Sequence, residues 1–239
     1  MDISEIHVYH HLGLGDHLIC FGLVIELSKK YSKIFLFCKT MYYKSVSFLY
    51  KDEKNIEIVP VEESKIGDYL KEKNLNYFED VLKIGFEKSA ELQTKMSFDE
   101  AFYYLNDIEF IKKNENFYVN RDLEQEKKIF DEYGVKEGEY IFVHDDRDRG
   151  YNIPIYGENV VRPNFSLTQN IFDFLLLIEK SKEIHCMDSC FFIMTDFLLT
   201  HPKMFYHINA RGDFSLMFPN QGNGEFSHPR YQKKWEIIK

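Results

Sequence analysis

Short apolar runs alternate with longer amphipathic stretches along most of this chain, and the spacing predicts its elements. The run Glu5-Ile6-His7-Val8-Tyr9-His10 is of strand type and feeds a tight turn, Gly13-Leu14-Gly15-Asp16-His17. An amphipathic helix over Leu18 to Lys30 and a second apolar strand, Ile34 to Cys38, follow. The pattern then predicts a helix over Thr40 to Tyr50, a strand over Ile56 to Pro60, a helix over Ser64 to Lys73 and a strand over Val81 to Phe86. Ser97 and Glu100 have the spacing of a capping box for a helix reaching Leu105. Such alternation predicts a parallel sheet with helices on both faces.

The stretch from Lys112 to Arg121 is polar and without strong periodicity, so a domain boundary is expected there. Beyond it come a charged helix from Asp122 to Tyr133, stopped by Gly134, and a strand from Tyr140 to His144. A polar turn, Asp145 to Gly150, leads to a short strand ending at Val160-Val161, then a helix from Thr168 to Lys180. Glu183 to Met187 reads as a strand, Asp188-Ser189 as the start of a helix to about Leu199, and Lys203 to His207 as a last strand. The expectation is an α/β protein of two Rossmann-like domains facing across a cleft, residues 1–115 and 116–239. The Gly-, Asn-, Phe- and Pro-containing tail after Arg211 is expected to wrap back over the body.

At 239 residues the chain is long enough for a real core, and 44% hydrophobic with 29% charged residues is a globular composition. A formal net charge of −9 argues against broad nucleic-acid binding, which depends on neutralising phosphates. Cys20, Cys38, Cys186 and Cys190 lie in apolar segments without zinc-type spacing and read as packing residues. Neither a signal peptide nor an apolar run of about 18 residues is apparent. The expected location is cytoplasmic, with no membrane span and peripheral association the only membrane contact left open.

Three turns carry candidate chemistry. In the first, Gly13 and Gly15 fit the opening of a dinucleotide fingerprint, but Asp16 follows at once and Leu18 holds the third position. A carboxylate at that helix start would repel a pyrophosphate, yet it is suited to accept a proton from a sugar hydroxyl. The helix end would favour its ionised form. Asp16 is equally suited to a plain capping role. His10, His11 and His17 cluster around it.

In the second turn, Met187-Asp188-Ser189-Cys190, a strand end meets a helix start, an arrangement suited to a diphosphate; Asp and Ser are also ordinary caps. The third, His144 to Arg149, offers Arg147 and Arg149 to phosphate oxygens, with Arg162 at the same expected sheet edge. Asp146-Arg147-Asp148 has the D-x-D form of a divalent-metal motif, or of a solvated charged loop.

The segment His11-Leu12-Gly13-Leu14-Gly15-Asp16-His17-Leu18 resembles the amino-terminal G-x-G-D turn of the lipopolysaccharide heptosyltransferases, glycosyltransferase family nine. Thr168 to Phe192, with Ile184-His185-Cys186-Met187-Asp188-Ser189, is similar to that family's strand, Asp-Ser or Asp-Thr pair, and helix. The resemblance implies a GT-B fold, with acceptor on the first domain and nucleotide-sugar on the second, and inversion at the anomeric centre without a metal. It would make Asp16 the general base and place donor diphosphate at Ser189 and its neighbours. The His144 to Arg149 turn resembles, more weakly, the basic strand-end motif of GT-B fucosyltransferases, which brings a guanine-nucleotide donor within the expectation.

The expected function is thus transfer of a sugar from a nucleotide-sugar donor to a glycan or glycolipid hydroxyl, in surface polysaccharide assembly. Catalytic candidates are Asp16, His17 and His11, with Gly13, Gly15 and His10 on the acceptor. The donor would meet His144, Arg147, Arg149, Arg162, Asp188, Ser189 and Cys190. No cofactor is expected, the nucleotide-sugar being a substrate, and no metal. The alternatives are a metal-dependent GT-A-type transferase using Asp146 and Asp148, or a non-catalytic sugar- or nucleotide-binding partner.

Overall fold

The computed structural model describes residues 5–77, 79–85, 96–208, 210, 233 and 235–238. The chain is α/β and divides into two compact units, Met1–Phe117 and Tyr118–Lys239, each built on a parallel sheet of Rossmann-like topology.

In the first unit the strands are β1 (Ile6–Tyr9), β2 (Ile34–Cys38), β3 (Ile56–Pro60) and β4 (Val81–Lys83). They lie in the order β3-β2-β1-β4, all parallel, so the order reverses between β1 and β4. Helix α1 (Leu14–Ser28) links β1 to β2, α2 (Tyr43–Leu49) links β2 to β3, and α3 (Ile66–Glu72) crosses to β4. Both α2 and α3 are preceded by one 3-10 turn, Thr40–Tyr42 and Glu63–Lys65, so the α-helical parts are shorter than the periodicity predicts. Phe86, the last residue of the expected fourth strand, lies outside the described residues.

Alternation along β1 sends His7 and Tyr9 to one face and Val8 and His10 to the other. The first face is an aromatic layer: Tyr9, Phe37 and Leu70 are buried together, and Tyr69 of α3 packs on them. His7 stacks on its register partner Phe35 at 4.6 Å.

On the α1 face, Gly22 lets the helix touch the short helix α5 (Lys112–Glu115), which follows α4 (Phe98–Tyr104). A Cβ on Gly22 would stand 2.1 Å from the Lys112 carbonyl oxygen. Tyr103 ties the layer together: its hydroxyl donates to the Ile19 carbonyl at 2.8 Å and accepts from the Leu23 amide at 3.1 Å.

The expected capping box at Ser97 does not form. Ser97 is the N-cap by position, but its hydroxyl makes no cap bond and is buried without a protein partner among the described residues. The buried acid of that turn is instead Asp99, bound to Lys113 Nζ at 3.0 Å. An ion pair sealed from water on both sides depends on that mutual contact.

The second unit begins with α6 (Leu123–Glu132), capped by Asp122, which accepts from the Gln125 amide at 3.0 Å. Its strands are β5 (Ile141–His144), β6 (Val160–Val161), β7 (Glu183–Cys186), β8 (Met204–His207) and β9 (Glu236–Ile238), in the order β6-β5-β7-β8-β9. The reversal lies between β5 and β7. Crossovers run through α7 (Leu175–Glu179), preceded by a 3-10 turn at Ile171–Phe174, and through α8 (Cys190–Leu198).

Strand β9 was not expected from the sequence. Phe205, Tyr206 and His207 pair in parallel with Glu236, Ile237 and Ile238. Before it, Trp235 packs on Phe192 at 4.6 Å, and its Nε1 donates to Asp196 Oδ1 at 3.0 Å. No helix among the described residues is long and apolar enough to cross a membrane.

Candidate functional site

In open α/β sheets, ligands sit beyond the carboxyl ends of strands where the order reverses. Both units place their polar turns there.

In the first unit the turn after β1 closes sooner than the sequence suggests. Leu12 adopts a left-handed backbone (φ 57°) and Gly13 is already the N-cap, so α1 starts at Leu14 rather than Leu18. The His17 amide donates back to the Gly13 carbonyl at 3.2 Å. Gly15 and Asp16 therefore belong to the first helical turn. Asp16 folds back over the N-cap, its Oδ2 only 2.4 Å from where a Cβ on Gly13 would stand, so the glycine makes room for the acid.

His10 and His17 form a sealed pair. Leu12 N–H donates to His10 Nδ1 at 3.1 Å, and His10 Nε2 lies 3.2 Å from His17 Nδ1. Because His10 Nδ1 accepts, its proton sits on Nε2 and is donated to His17, whose own proton then lies on Nε2. That atom is buried with no protein partner among the described residues. Burial pushes His10 down to about 3, the neighbouring His11 adding to the effect. Burial likewise, helped by His10, holds His17 well below 6.5. Both rings have no exposed surface. As they stand, the expected acceptor-contact residue His10 and the expected catalytic residue His17 present no surface, and their pair props the turn.

His11 is the exposed histidine and bridges the reversal point. Its Nε2 donates to the Gly85 carbonyl just beyond β4 at 3.1 Å, and its ring stacks on Phe102 at 5.6 Å. Gly85 has φ 87°, and a Cβ there would meet Phe102 at 2.3 Å and His11 Nε2 at 2.8 Å. Sequence reading missed Gly85, whose only signal was a glycine ending an apolar run. Of the first-unit candidates, His11 is exposed and Gly13, Gly15 and Asp16 are partly exposed, in a turn whose His10 and His17 are buried.

In the second unit, β5 ends at His144, whose ring stacks on Phe191 of α8 at 4.2 Å. The Met187 amide donates to the His144 carbonyl at 3.3 Å, so the turns after β5 and β7 adjoin at the reversal. Ser189 is the N-cap of α8 and its Oγ accepts from the Phe192 amide at 3.3 Å. Asp188 is buried, while Ser189 and Cys190 are partly exposed.

The Asp145 carboxylate is nearly enclosed, at 2% exposure. Arg162 grips it through Nε at 3.1 Å and Nη2 at 3.1 Å, and gives Nη2 also to the carbonyls of Ile153 and Ile155. The Ile153 amide adds a bond at 3.1 Å and Arg147 one at 3.3 Å. Burial alone would raise the Asp145 carboxyl. The Arg162 bonds, the Ile153 amide and the charges of Arg162 and Arg147 outweigh it and hold the group below its ordinary 3.8.

Arg162 is thereby a staple of the turn: its Nε and Nη2 donors are turned to Asp145 and two carbonyls. Arg149 pairs with Asp146, and a 3-10 turn over Arg147–Arg149 ends at Gly150 (φ 82°). Arg147 and Arg149 remain about half exposed.

Two aromatic residues near this turn carried no sequence signal beyond proximity to arginine. Tyr156, 72% exposed, lies under Arg147 at 5.7 Å; Phe165, 51% exposed, packs on Phe191 at 6.1 Å.

Cys20, Cys38 and Cys186 are free and buried, and burial raises all three thiols, Cys38 to about 12. Among the described residues no group of three or more histidine, cysteine or acidic side chains is placed to hold a metal ion. Comparison with family models, curated proteins and solved structures finds no match.

Proposed function

We propose that this chain is a glycosyltransferase that moves a sugar from a nucleotide-sugar to a glycan hydroxyl, with Asp16 as general base. One observation carries the reading: two Rossmann-like sheets in one chain each bear a polar turn at the reversal of strand order. One turn is led by an acid folded over a glycine; the other joins a serine-capped helix to an arginine-bearing loop.

In this reading the units face one another across a GT-B-like cleft. The acceptor oxygen bonds to the anomeric carbon as the bond from that carbon to the diphosphate oxygen breaks. The hydroxyl proton passes to Asp16, and the electron pair leaves with the nucleoside diphosphate. His11, held by Gly85 and Phe102, orients the acceptor beside Asp16. Arg147 and Arg149 stabilise charge growing on the diphosphate, with the first-turn amides of α8. Phe165 offers a face for the nucleobase.

The deciding experiment titrates a nucleotide-sugar panel by calorimetry and assays transfer and donor hydrolysis for the parent and Asp16→Asn. Unchanged donor binding with turnover lowered by about a hundredfold or more supports the base role. Absence of nucleotide-sugar binding in the parent ends the reading.

A second reading, a non-catalytic sugar- or nucleotide-binding partner, is favoured by one feature. Each arginine of the second turn is already answered by Asp145 or Asp146. Binding without turnover on any acceptor would select it. A metal-dependent GT-A-type transferase would lose activity on chelation, and the leading reading expects none of that loss.

A further inference from the structure

A cavity of about 400 Å³ opens on the α3 face of the first sheet, away from His10 and His17. Tyr9, the last residue of β1, and Tyr77 give it aromatic walls; Ile66, Leu70 and Leu75 line it with aliphatic carbon. The volume lies within the range of small-molecule sites, and the mostly apolar lining with a few polar groups is their usual makeup.

The charges at the mouth narrow the occupant. Glu63 lines the cavity but is paired with Lys39 at 3.1 Å. Lys71 also lines it, is exposed, and carries no ion pair among the described residues. Lys83 lies over the Tyr77 ring at 4.7 Å and adds a second positive charge beside that wall. Among the lining residues the charge without an ion pair is therefore the positive one of Lys71, above an apolar and aromatic interior.

We propose that this cavity binds a ring-sized aromatic carboxylate, the ring between Tyr9, Tyr77 and the aliphatic floor and the carboxylate at Lys71. A flat apolar ring suits walls that offer few hydrogen-bonding groups, and a single anion suits a single unpaired ammonium. A sugar would bring several hydroxyls to a lining that leaves most of them unanswered, at the cost of their desolvation. The site belongs to one face of one unit and is independent of the transferase reading.

Gly67 supplies a test that spares the fold. It lines the cavity from α3, and a Cβ built on it meets nothing within 4 Å. Gly67→Leu then extends a side chain toward the cavity from an open Cβ position while replacing a poor helix former. The probes are 4-hydroxybenzoate, its neutral analogue 4-hydroxybenzamide, and methyl glucoside, titrated by calorimetry and by amide chemical-shift changes in the full chain.

Expected are binding of 4-hydroxybenzoate with shifts at Gly67, Lys71 and Leu75, and at least about tenfold weaker binding in Gly67→Leu at an unchanged or raised thermal midpoint. Lys71→Gln should weaken the acid about tenfold and leave the amide unaffected, because only the acid gains a charged hydrogen bond. The proposal is overturned by no binding of the acid at millimolar concentration, by methyl glucoside binding more tightly than the acid, or by affinity unchanged in either variant.

Discussion

The two units solve one problem, fixing a turn beyond the sheet, with opposite electrostatics. In the first, the turn rests on two imidazoles that burial keeps uncharged, joined to each other and to the Leu12 amide. In the second, it is closed by an enclosed carboxylate gripped by Arg162. Neutral imidazoles give up little hydration on burial but must remain unprotonated. An ion pair gives up much hydration and needs both partners in place. The first turn therefore leaves its carboxylate, Asp16, out on the partly exposed rim, whereas the second consumes Asp145 internally.

The sharpest break of that contrast is Arg162→Ala, which leaves the enclosed Asp145 carboxylate with only the Ile153 amide and the longer Arg147 contact. It should destabilise the protein by about 3 to 5 kcal/mol in chemical denaturation. Arg162→Lys should restore only part of the loss, since one ammonium cannot reproduce the forked contacts. Because the folded Asp145 carboxyl is held below 3.8, its stabilisation is fully present above that value and lost as pH falls through the lower folded pKa. Asp145→Asn should flatten this limb.

Next in size is Gly85→Ala, where a left-handed backbone and contacts with His11 and Phe102 add together. A loss of about 2 kcal/mol is expected, read by denaturation. Transfer activity should fall alongside it if His11 orients the acceptor.

Smaller is His17→Phe, which removes the buried hydrogen bond and keeps the ring volume. About 1 to 2 kcal/mol should be lost at neutral pH. The sign of its pH effect is fixed: His10 and His17 have folded values below 6.5, so the unfolded chain binds more protons and stability falls as pH drops from about 6.5 toward 3. The variant should reduce that slope. The second unit holds a like pair, His185 and His207 at 3.0 Å, lowered chiefly by burial, His207 to about 4. His207→Phe thus measures the second unit's share of the same limb.

The smallest effect is expected for Arg149→Ala, an exposed pair with Asp146, at less than about 0.5 kcal/mol by thermal melting. A marked loss of nucleotide-sugar affinity in this stable variant would identify Arg149 as a donor contact. Full affinity would assign it to the loop alone.

Most strands were legible because a buried parallel strand is a continuous apolar run, as Ile34 to Cys38 illustrates. Strand β9 was not, since three residues carry too little period and its pairing with β8 is a long-range event. The start of α1 was misjudged because Gly-Leu-Gly reads as loop, whereas the backbone turn had been completed at Leu12. At the candidate sites, residue types were legible and their duties were not. Arg162 and Asp145 are 17 positions apart, and no local pattern says that they meet. Three histidines within eight residues looked alike, yet two are sealed and one is exposed.

The sequence by itself determined two strand-and-helix halves and a glycine–acid or serine turn after particular strands, because hydrophobic period and turn chemistry act over a few neighbouring residues. Only the tertiary structure decided strand order, the closing strand β9, and which polar groups stay at the surface. Those depend on contacts between distant segments, where burial turns one histidine into a prop and one arginine into a staple while identical side chains nearby remain in water.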